Sequence, residues 1–348
     1  MKEDVVIDIA QDLVLGIETS CDETSAAVLS GGSVLLSHVT SSQIDVHQVY
    51  GGVVPEIASR EHCLHIDAVV DRALGEAGVR LKDLGAVAVT FGPGLVGSLL
   101  VGVAYAKALA YARGLKFIGV NHLEAHVLAN LLEHPDMAFP VLALLVSGGH
   151  TNYLYFEDYL TYRVVGRTRD DAAGEAFDKV ARALKLGYPG GPHIEKAAQK
   201  GRDDAYALPR SLLEPGSLDF SFSGLKSAVL NQLNSARMRG DTPSVEDMAA
   251  SFQRAVIDVL VTKTHMALER FPQARTLALA GGVAANGALG QAIEAEAMQQ
   301  GVDFCSPSLE FCTDNGAMVA VAGYCYNKAG RYTGWNLNAV PGLKLTAE

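Results

Sequence analysis

The sequence predicts an α/β protein of two lobes with a duplicated core, and three observations carry that prediction. At 348 residues the chain exceeds what one hydrophobic core usually supports, so two lobes are expected. An apolar content of 49% with 35 glycines and 12 prolines describes a compact, turn-rich globular chain rather than a disordered one. One pattern, an apolar strand followed by a polar turn and a returning strand, opens each half of the chain. It suggests a repeated unit with two facing phosphate loops.

The first copy runs from Leu13 to Leu29. Leu13 to Ile17 reads as a buried strand, Glu18 to Ser25 as a turn and Ala26 to Leu29 as the return strand. Glu18-Thr19-Ser20-Cys21-Asp22-Glu23-Thr24 places three hydroxyls and three carboxylates in one turn, more than a hairpin needs. Hydroxyls and backbone N–H groups suit phosphate oxygens, and the acids suit a cation or a proton. Gly51 to Glu56 then leads into a helix, Ile57 to Ala77, and Ala86 to Thr90 is a strand. Phe91-Gly92-Pro93-Gly94 turns into a helix of small residues, Leu95 to Ala112, which suits close packing on a sheet; its N-terminus can also face a ligand.

The strand Lys116 to Val120 is followed by Asn121-His122-Leu123-Glu124-Ala125-His126. Two histidines four apart on a helix sit about 40° apart around its axis, so both imidazoles can reach one point, which can hold a metal. A bare His-x3-His is more often one polar face of an ordinary helix. Here the pair opens a helix directly after a buried strand, a usual place for a site in an α/β protein, and Asp314 downstream supplies a third candidate ligand. Asp314 can equally be the cap of the helix that follows, Met318 to Tyr326.

The second copy is Val141 to Val146, the turn Ser147-Gly148-Gly149-His150-Thr151 and the return strand Tyr153 to Phe156. Gly148 and Gly149 would let backbone amides approach an anion, or they serve a tight hairpin that needs positive φ. Asp170 to Lys179 has helical periodicity, and its four acids either satisfy a helix dipole or point at ligand hydroxyls. Tyr188-Pro189-Gly190-Gly191-Pro192 is a turn whose glycines would let the chain pass close to a flat ring. The motif Asp219 to Lys226 precedes another helix without revealing a role. Thr276 to Ala280 is a strand running through Gly281-Gly282 to Asn286 and a helix, which is either a nucleotide-friendly turn or plain βα punctuation.

The net charge of -11 argues against a general electrostatic grip on nucleic acid. A local balance of +3 between Leu160 and Arg210, ten Lys or Arg against seven Asp or Glu, reads first as solvated helix faces. No apolar run reaches membrane-spanning length. Met1 to Asp12 carries four acids and one lysine, the wrong charge for a signal peptide, and is expected to be a disordered extension. Five cysteines without a C-x-x-C argue for reduced thiols and a cytoplasmic protein.

Taken together, Gly16 to Thr24, Gly51 to Glu56, Gly92 to Gly94, His122-x3-His126, Leu145 to His150, Asp170 to Lys179, Tyr188 to Pro192, Asp219 to Lys226, Gly281 to Asn286 and Cys312 to Ala317 closely resemble the bacterial tRNA adenosine threonylcarbamoyltransferase family, TsaD, once labelled O-sialoglycoprotein endopeptidase. The resemblance runs from about Leu13 to Gly323. It implies a duplicated ribonuclease-H-like fold of the actin, hexokinase and heat-shock chaperone type, with a ligand cleft between lobes expected at 13–136 and 137–314 and with residues 315–345 packing back on the first. It implies transfer of a threonylcarbamoyl group from threonylcarbamoyl-AMP to N6 of the adenosine 3′ to the anticodon, releasing AMP.

Carried over by motif, His122, His126 and Asp314 bind one divalent metal, Fe(II) ahead of Zn(II) or Mg(II). Leu145, Val146, Ser147, Gly148 and Gly149 hold the phosphate and acyl portion of an adenine nucleotide ligand, and Asp178, Gly191 and Asn286 hold its adenosine. Glu195 matches a position that usually carries aspartate, so its carboxylate sits one methylene further out. Asp22 and Glu23 are candidates for a proton acceptor or for orienting the metal from behind. Implied partners are tRNA, a TsaB-like paralogue, a TsaE-like ATPase and a TsaC-type synthase that supplies the adenylate; a membrane is not among them. The alternatives are a metallopeptidase, which the order H-x-E-x-H disfavours because Glu124 lies about 200° around the helix from His122, and a sugar or acetate kinase, which needs no histidine pair. A non-catalytic relative like TsaB would be expected to lose the metal ligands, and all three are present.

Overall fold

A computed structural model describes residues 13–211 and 214–345; the acidic extension 1–12 lies outside the described residues. In chain order the elements are β1 (Leu13–Glu18), β2 (Glu23–Ser30), β3 (Val34–Ser42), α1 (Ile44–His47), α2 (Pro55–Ala77), β4 (Ala86–Gly92), α3 (Val96–Arg113), β5 (Lys116–Asn121) and α4 (His122–Leu128). There follow β6 (Val141–Val146), β7 (Thr151–Phe156), β8 (Tyr162–Arg167), α5 (Ala173–Leu184), α6 (Gly190–Ala198), α7 (Ser223–Arg239), α8 (Val245–Arg270), β9 (Thr276–Ala280), α9 (Gly287–Gln300), β10 (Asp303–Cys305), α10 (Leu309–Cys312) and α11 (Gly316–Lys328).

Contacts group these residues into two units. The first holds 13–43, 53–136 and 314–345, and the second holds 44–52 and 137–313. Residues 44–52 fall in the stretch expected for the first lobe but group with the second unit, where the Arg182 guanidinium donates to Gly51 O.

The two units repeat one topology. The first sheet has the order β3-β2-β1-β4-β5, with β1 and β2 antiparallel, β2 and β3 antiparallel, and β1, β4 and β5 parallel. The second, β8-β7-β6-β9-β10, has the same sequence of antiparallel and parallel pairings. This is the ribonuclease-H-like pattern that the family resemblance implies, twice over.

Central strands β1 (LVLGIE) and β6 (VLALLV) are buried along their whole length, as expected where both faces of a sheet are covered. In the first unit Leu13, Leu15 and Ile17 pack with Ile66, Val70, Val103 and Ala106 of α2 and α3. The alternate residues of β1 face α11. A Cβ at Gly16 would lie 2.4 Å from Ala320 N and Gly316 O, so glycine there allows helix and strand to touch backbone to backbone. In the second unit Phe252, Val256 and Leu260 of α8 pack in one cluster with Tyr153 of β7 and with Phe220.

Candidate metal centre

The first unit places the histidine pair by a simple local device. At the end of β5, Asn121 Oδ1 accepts the Leu123 N–H at 2.9 Å and caps α4, so the helix begins at His122 and carries His126 one turn on. Asp314 sits just before α11. The cap of α11 is Asn315, whose Oδ1 accepts the Met318 N–H at 2.8 Å, so the capping alternative for Asp314 falls away. Asp314 turns instead to the histidines: its Oδ1 lies 3.1 Å from His126 Nε2 and 3.5 Å from His122 Nε2. One ligand atom from each of the three residues lies within 4.8 Å of the other two.

Two buried imidazoles and one partly exposed carboxylate, converging on one point with coordination positions left open, fit a divalent first-row ion such as Fe(II) or Zn(II). His122 is held from behind as well. Its Nδ1 lies 3.2 Å from Ser20 Oγ and 3.3 Å from Glu18 Oε2. Glu18 is fully buried and accepts the Ser20 N–H and the Thr90 hydroxyl. Burial works to raise the Glu18 carboxyl, but the charge and hydrogen bond of His122 bring it below the usual range. Burial works to lower His122, and the Asp314 and Glu18 carboxylates raise it to about 9.

The carboxylate that backs His122 is therefore Glu18, not Asp22 or Glu23, which sit four and five residues further along the chain. Glu23 accepts the Ser42 hydroxyl at 3.3 Å; burial and then the Asp22 charge raise its carboxyl well above the usual range. Glu124 turns away from the histidines and accepts the Tyr326 hydroxyl on α11, so it is not placed as the water-activating acid of a peptidase. Replacing Glu18 with Gln keeps the volume but sets an amide N–H₂ or a weaker acceptor against His122 Nδ1. Divalent-metal affinity should then fall roughly 10- to 100-fold, the usual effect of removing such a partner. Titration with Co(II) checks this, and unchanged affinity would show that Glu18 does not orient the ring.

In the second unit the sequence-predicted substrate residues gather at the C-terminal ends of β6 and β9. The Ser147 N–H donates to His150 O at 2.8 Å and closes the turn, and the Gly174 N–H at the start of α5 donates to Ser147 O at 3.2 Å. Neither Gly148 nor Gly149 has positive φ, and a Cβ on either would meet nothing within 4 Å. The hairpin's own backbone thus does not require glycine, which removes that alternative and leaves open approach to the loop amides. Gly281 is different. It has φ +88° and comes so close to β6 that a Cβ would lie 2.5 Å from Val146 O.

Asp178 on α5 accepts the Gly190 N–H at 2.7 Å and fixes the start of α6, while Gly191 beside it is open. Glu195 Oε1 accepts the Gly287 N–H at 2.8 Å. Asn286 caps α9 by accepting the Leu289 N–H at 2.9 Å and donates to Gln253 Oε1 at 2.8 Å, so part of its amide is committed to the fold. Leu145 and Val146 are fully buried strand residues and can offer a ligand little beyond backbone.

The unassigned motif at Asp219 to Lys226 also finds a structural role. Asp170 accepts the Ser221 and Ser223 hydroxyls and the Phe222 N–H, and Asp171 pairs with Lys179 and Lys226. Both acids stand immediately before the Ala172 cap of α5, and these hydrogen bonds and ion pairs fix them there. No helix among the described residues is long and apolar enough to cross a membrane.

A repeated ribonuclease-H-like unit with a His-His-Asp centre defines a class, the two-unit α/β proteins of the actin and hexokinase type that carry a candidate divalent-metal site. Solved structures share the fold at low identity. HypF in its phosphate- and nucleotide-bound form matches 93% of this chain and 57% of its own, with a TM-score of 0.61 and 14% identity. Component A of the (R)-2-hydroxyglutaryl-CoA dehydratase of Acidaminococcus fermentans matches 91% of this chain and 99% of its own, with a TM-score of 0.53 and 15% identity.

The sequence narrows the class. Residues 34–321 match the family profile described as TsaD, tRNA N6-adenosine threonylcarbamoyltransferase. Proteins of that name from Desulfitobacterium hafniense (63% identity over 95% of this chain and 97% of the relative) and Halalkalibacterium halodurans (54% over 98% of each) are similar from end to end. The chain belongs to the tRNA N6-adenosine threonylcarbamoyltransferase family.

Proposed function

We propose that this chain transfers the threonylcarbamoyl group from threonylcarbamoyl-AMP to N6 of the adenosine 3′ to the anticodon, in tRNAs reading codons that begin with A, with release of AMP. The observation that carries this is the 63% identity to a threonylcarbamoyltransferase over 95% of the chain. The convergence of His122, His126 and Asp314 supports it, since a kinase of the same fold needs no such group.

The chemistry sets what the residues must do. The adenosine N6 lone pair is delocalised into the purine, so the amine is a weak nucleophile, and the rate must come from an activated carbonyl and a good leaving group. His122, His126 and Asp314 would hold a divalent ion, Fe(II) by preference, that supplies Lewis-acid polarisation when bound. The Gly148 and Gly149 amides are suited to the phosphate of the adenylate, which keeps AMP a good leaving group. Asp178 and the open strip at Gly191 are suited to its nucleoside end. N6 forms the new bond to the carbonyl carbon as the bond from that carbon to the phosphate oxygen breaks, and the amine gives up a proton. Glu23, whose carboxyl is raised by burial and the Asp22 charge and so is a stronger base than an ordinary carboxylate, is our candidate acceptor.

Charge supports a reading in which tRNA is gripped by an assembly. Of the basic residues between 160 and 210, Arg169, Lys179, Arg202 and Arg210 are paired with acids, in a chain of net charge -11. The proposed partners are a TsaB-like paralogue, a TsaE-like ATPase and a TsaC-type synthase, and the proposed compartment is the cytoplasm, where five free thiols would stay reduced. The test is nucleoside analysis of tRNA after incubation with threonine, bicarbonate, ATP and the three partners. Threonylcarbamoyladenosine should form only when this chain is present, and tRNA should bind the assembly more tightly than the isolated chain. Absence of that nucleoside, or cleavage of a sialoglycoprotein in its place, would overturn the proposal.

A further inference from the structure

The segment after α11 runs back along the first unit and ends beside the machinery of the metal centre. β5 is an edge strand, and its outward backbone groups are taken by this segment: the Thr333 N–H donates to Phe117 O at 2.8 Å, and the Gly119 N–H donates to Thr333 Oγ1 at 2.8 Å. Trp335 stacks on Phe117 with ring centroids 5.7 Å apart and meets Tyr111 edge-on at 5.5 Å. Leu337 O accepts the Lys107 ammonium.

At its far end the segment reaches the turn after β4. Phe91 is the residue that the β4–β5 pairing skips, and its carbonyl accepts the Val340 N–H at 2.8 Å. The Gly94 N–H donates to Pro341 O at 3.2 Å. The same turn grips Ser20: the Leu95 N–H donates to Ser20 O at 2.8 Å, and a Cβ on Gly94 would lie 2.6 Å from that oxygen. Ser20 in turn lies against His122 Nδ1 and donates its N–H to Glu18.

We propose that residues 333–341 act as a strap that positions His122 for metal binding, through the relay from Val340 and Pro341 to Gly94 and Leu95, to Ser20, to the His122 ring. The inference rests on the metal reading of His122, His126 and Asp314. At the turn itself the strap acts through the backbone groups of Val340 and Pro341, while the side chains of Thr333 and Trp335 anchor it along β5. Val340, Pro341 and Ser20 are positioning residues; none is a ligand.

The test uses the full chain and Co(II), whose visible spectrum reports the geometry of its ligands. Val340→Pro removes the N–H that meets Phe91 O, while Val340→Ala retains it. The expected result is a Co(II) affinity roughly 10-fold weaker in Val340→Pro, the scale for a lost outer partner, with altered visible bands and both properties unchanged in Val340→Ala. If Val340→Pro does not fold, Trp335→Ala loosens the strap with every backbone donor in place. It should weaken Co(II) binding in the same direction. Wild-type affinity and spectrum in Val340→Pro, or in Trp335→Ala where that variant stands in, would overturn the strap alone, as would equal losses in Val340→Pro and Val340→Ala. Failure of the wild-type chain to bind Co(II) would overturn the metal reading, and the strap's role with it.

Discussion

Asp314→Ala is expected to abolish threonylcarbamoyl transfer and metal binding together while the fold survives. Removing an outer partner of a ligand typically weakens a site 10- to 100-fold, so losing one of three protein ligands should exceed roughly 100-fold in metal affinity. Asp314 is the cleaner of two variants because its side chain is 20% exposed and α11 is capped by its neighbour Asn315. His122→Ala should be as inactive but less stable. Glu18 is fully buried against that imidazole, and an ionised carboxylate left without its partner costs roughly 3–5 kcal/mol. Metal content by elemental analysis, melting temperature and single-turnover transfer separate the two effects. Full metal occupancy with normal turnover in Asp314→Ala would remove the central claim.

The histidine pair was legible in the sequence because its geometry is local: four residues, one helix, one strand end. Asp314 was legible only as a choice between cap and ligand. What decided it was that the adjacent Asn315 takes the cap, a competition between neighbours that residue type alone does not settle. Glu18 was visible as one acid among three in its turn, but not as the partner of His122, 104 positions away. That contact exists because β1 pairs with β4 and β4 with β5, which brings the ends of β1 and β5 within reach of each other.

The duplication was read from strand and turn pattern, yet β3, β8 and the long α8 went unremarked. β3 is a half-exposed edge strand with mixed composition and β8 alternates only weakly, so neither stands out as an apolar run. α8 did carry a signal. Ser244 accepts the Asp247 N–H at 3.0 Å, a cap that Ser-x-x-Asp before an apolar-periodic run announces. The two serines at 221 and 223 had no legible role because their partner, Asp170, lies about fifty positions earlier in a segment that looked like the start of a helix.

In the second unit, Gly149→Val should sharply weaken binding of ATP and of the adenylate with metal binding untouched. The position is open and its φ is not positive, so the added side chain meets no protein atom within 4 Å at Cβ and the fold should tolerate it. What the valine would obstruct is the approach of an anion to the loop amides, and a phosphate held by two or three such donors loses most of its binding when it cannot reach them. Asp178 tests the other end of the ligand, but alanine is the wrong probe, because Asp178 also holds the Gly190 N–H that starts α6. Asp178→Asn keeps an acceptor for Gly190 and removes the charge. A carboxylate accepts hydrogen bonds from ribose hydroxyls and repels phosphate, so Asp178→Asn should weaken AMP and ATP while leaving pyrophosphate unchanged or slightly tighter, and Gly149→Val should weaken all three. Calorimetric titration of both variants with ATP, AMP and pyrophosphate reads the difference. Equal losses for the three ligands in Asp178→Asn would show that this carboxylate does not face the nucleoside.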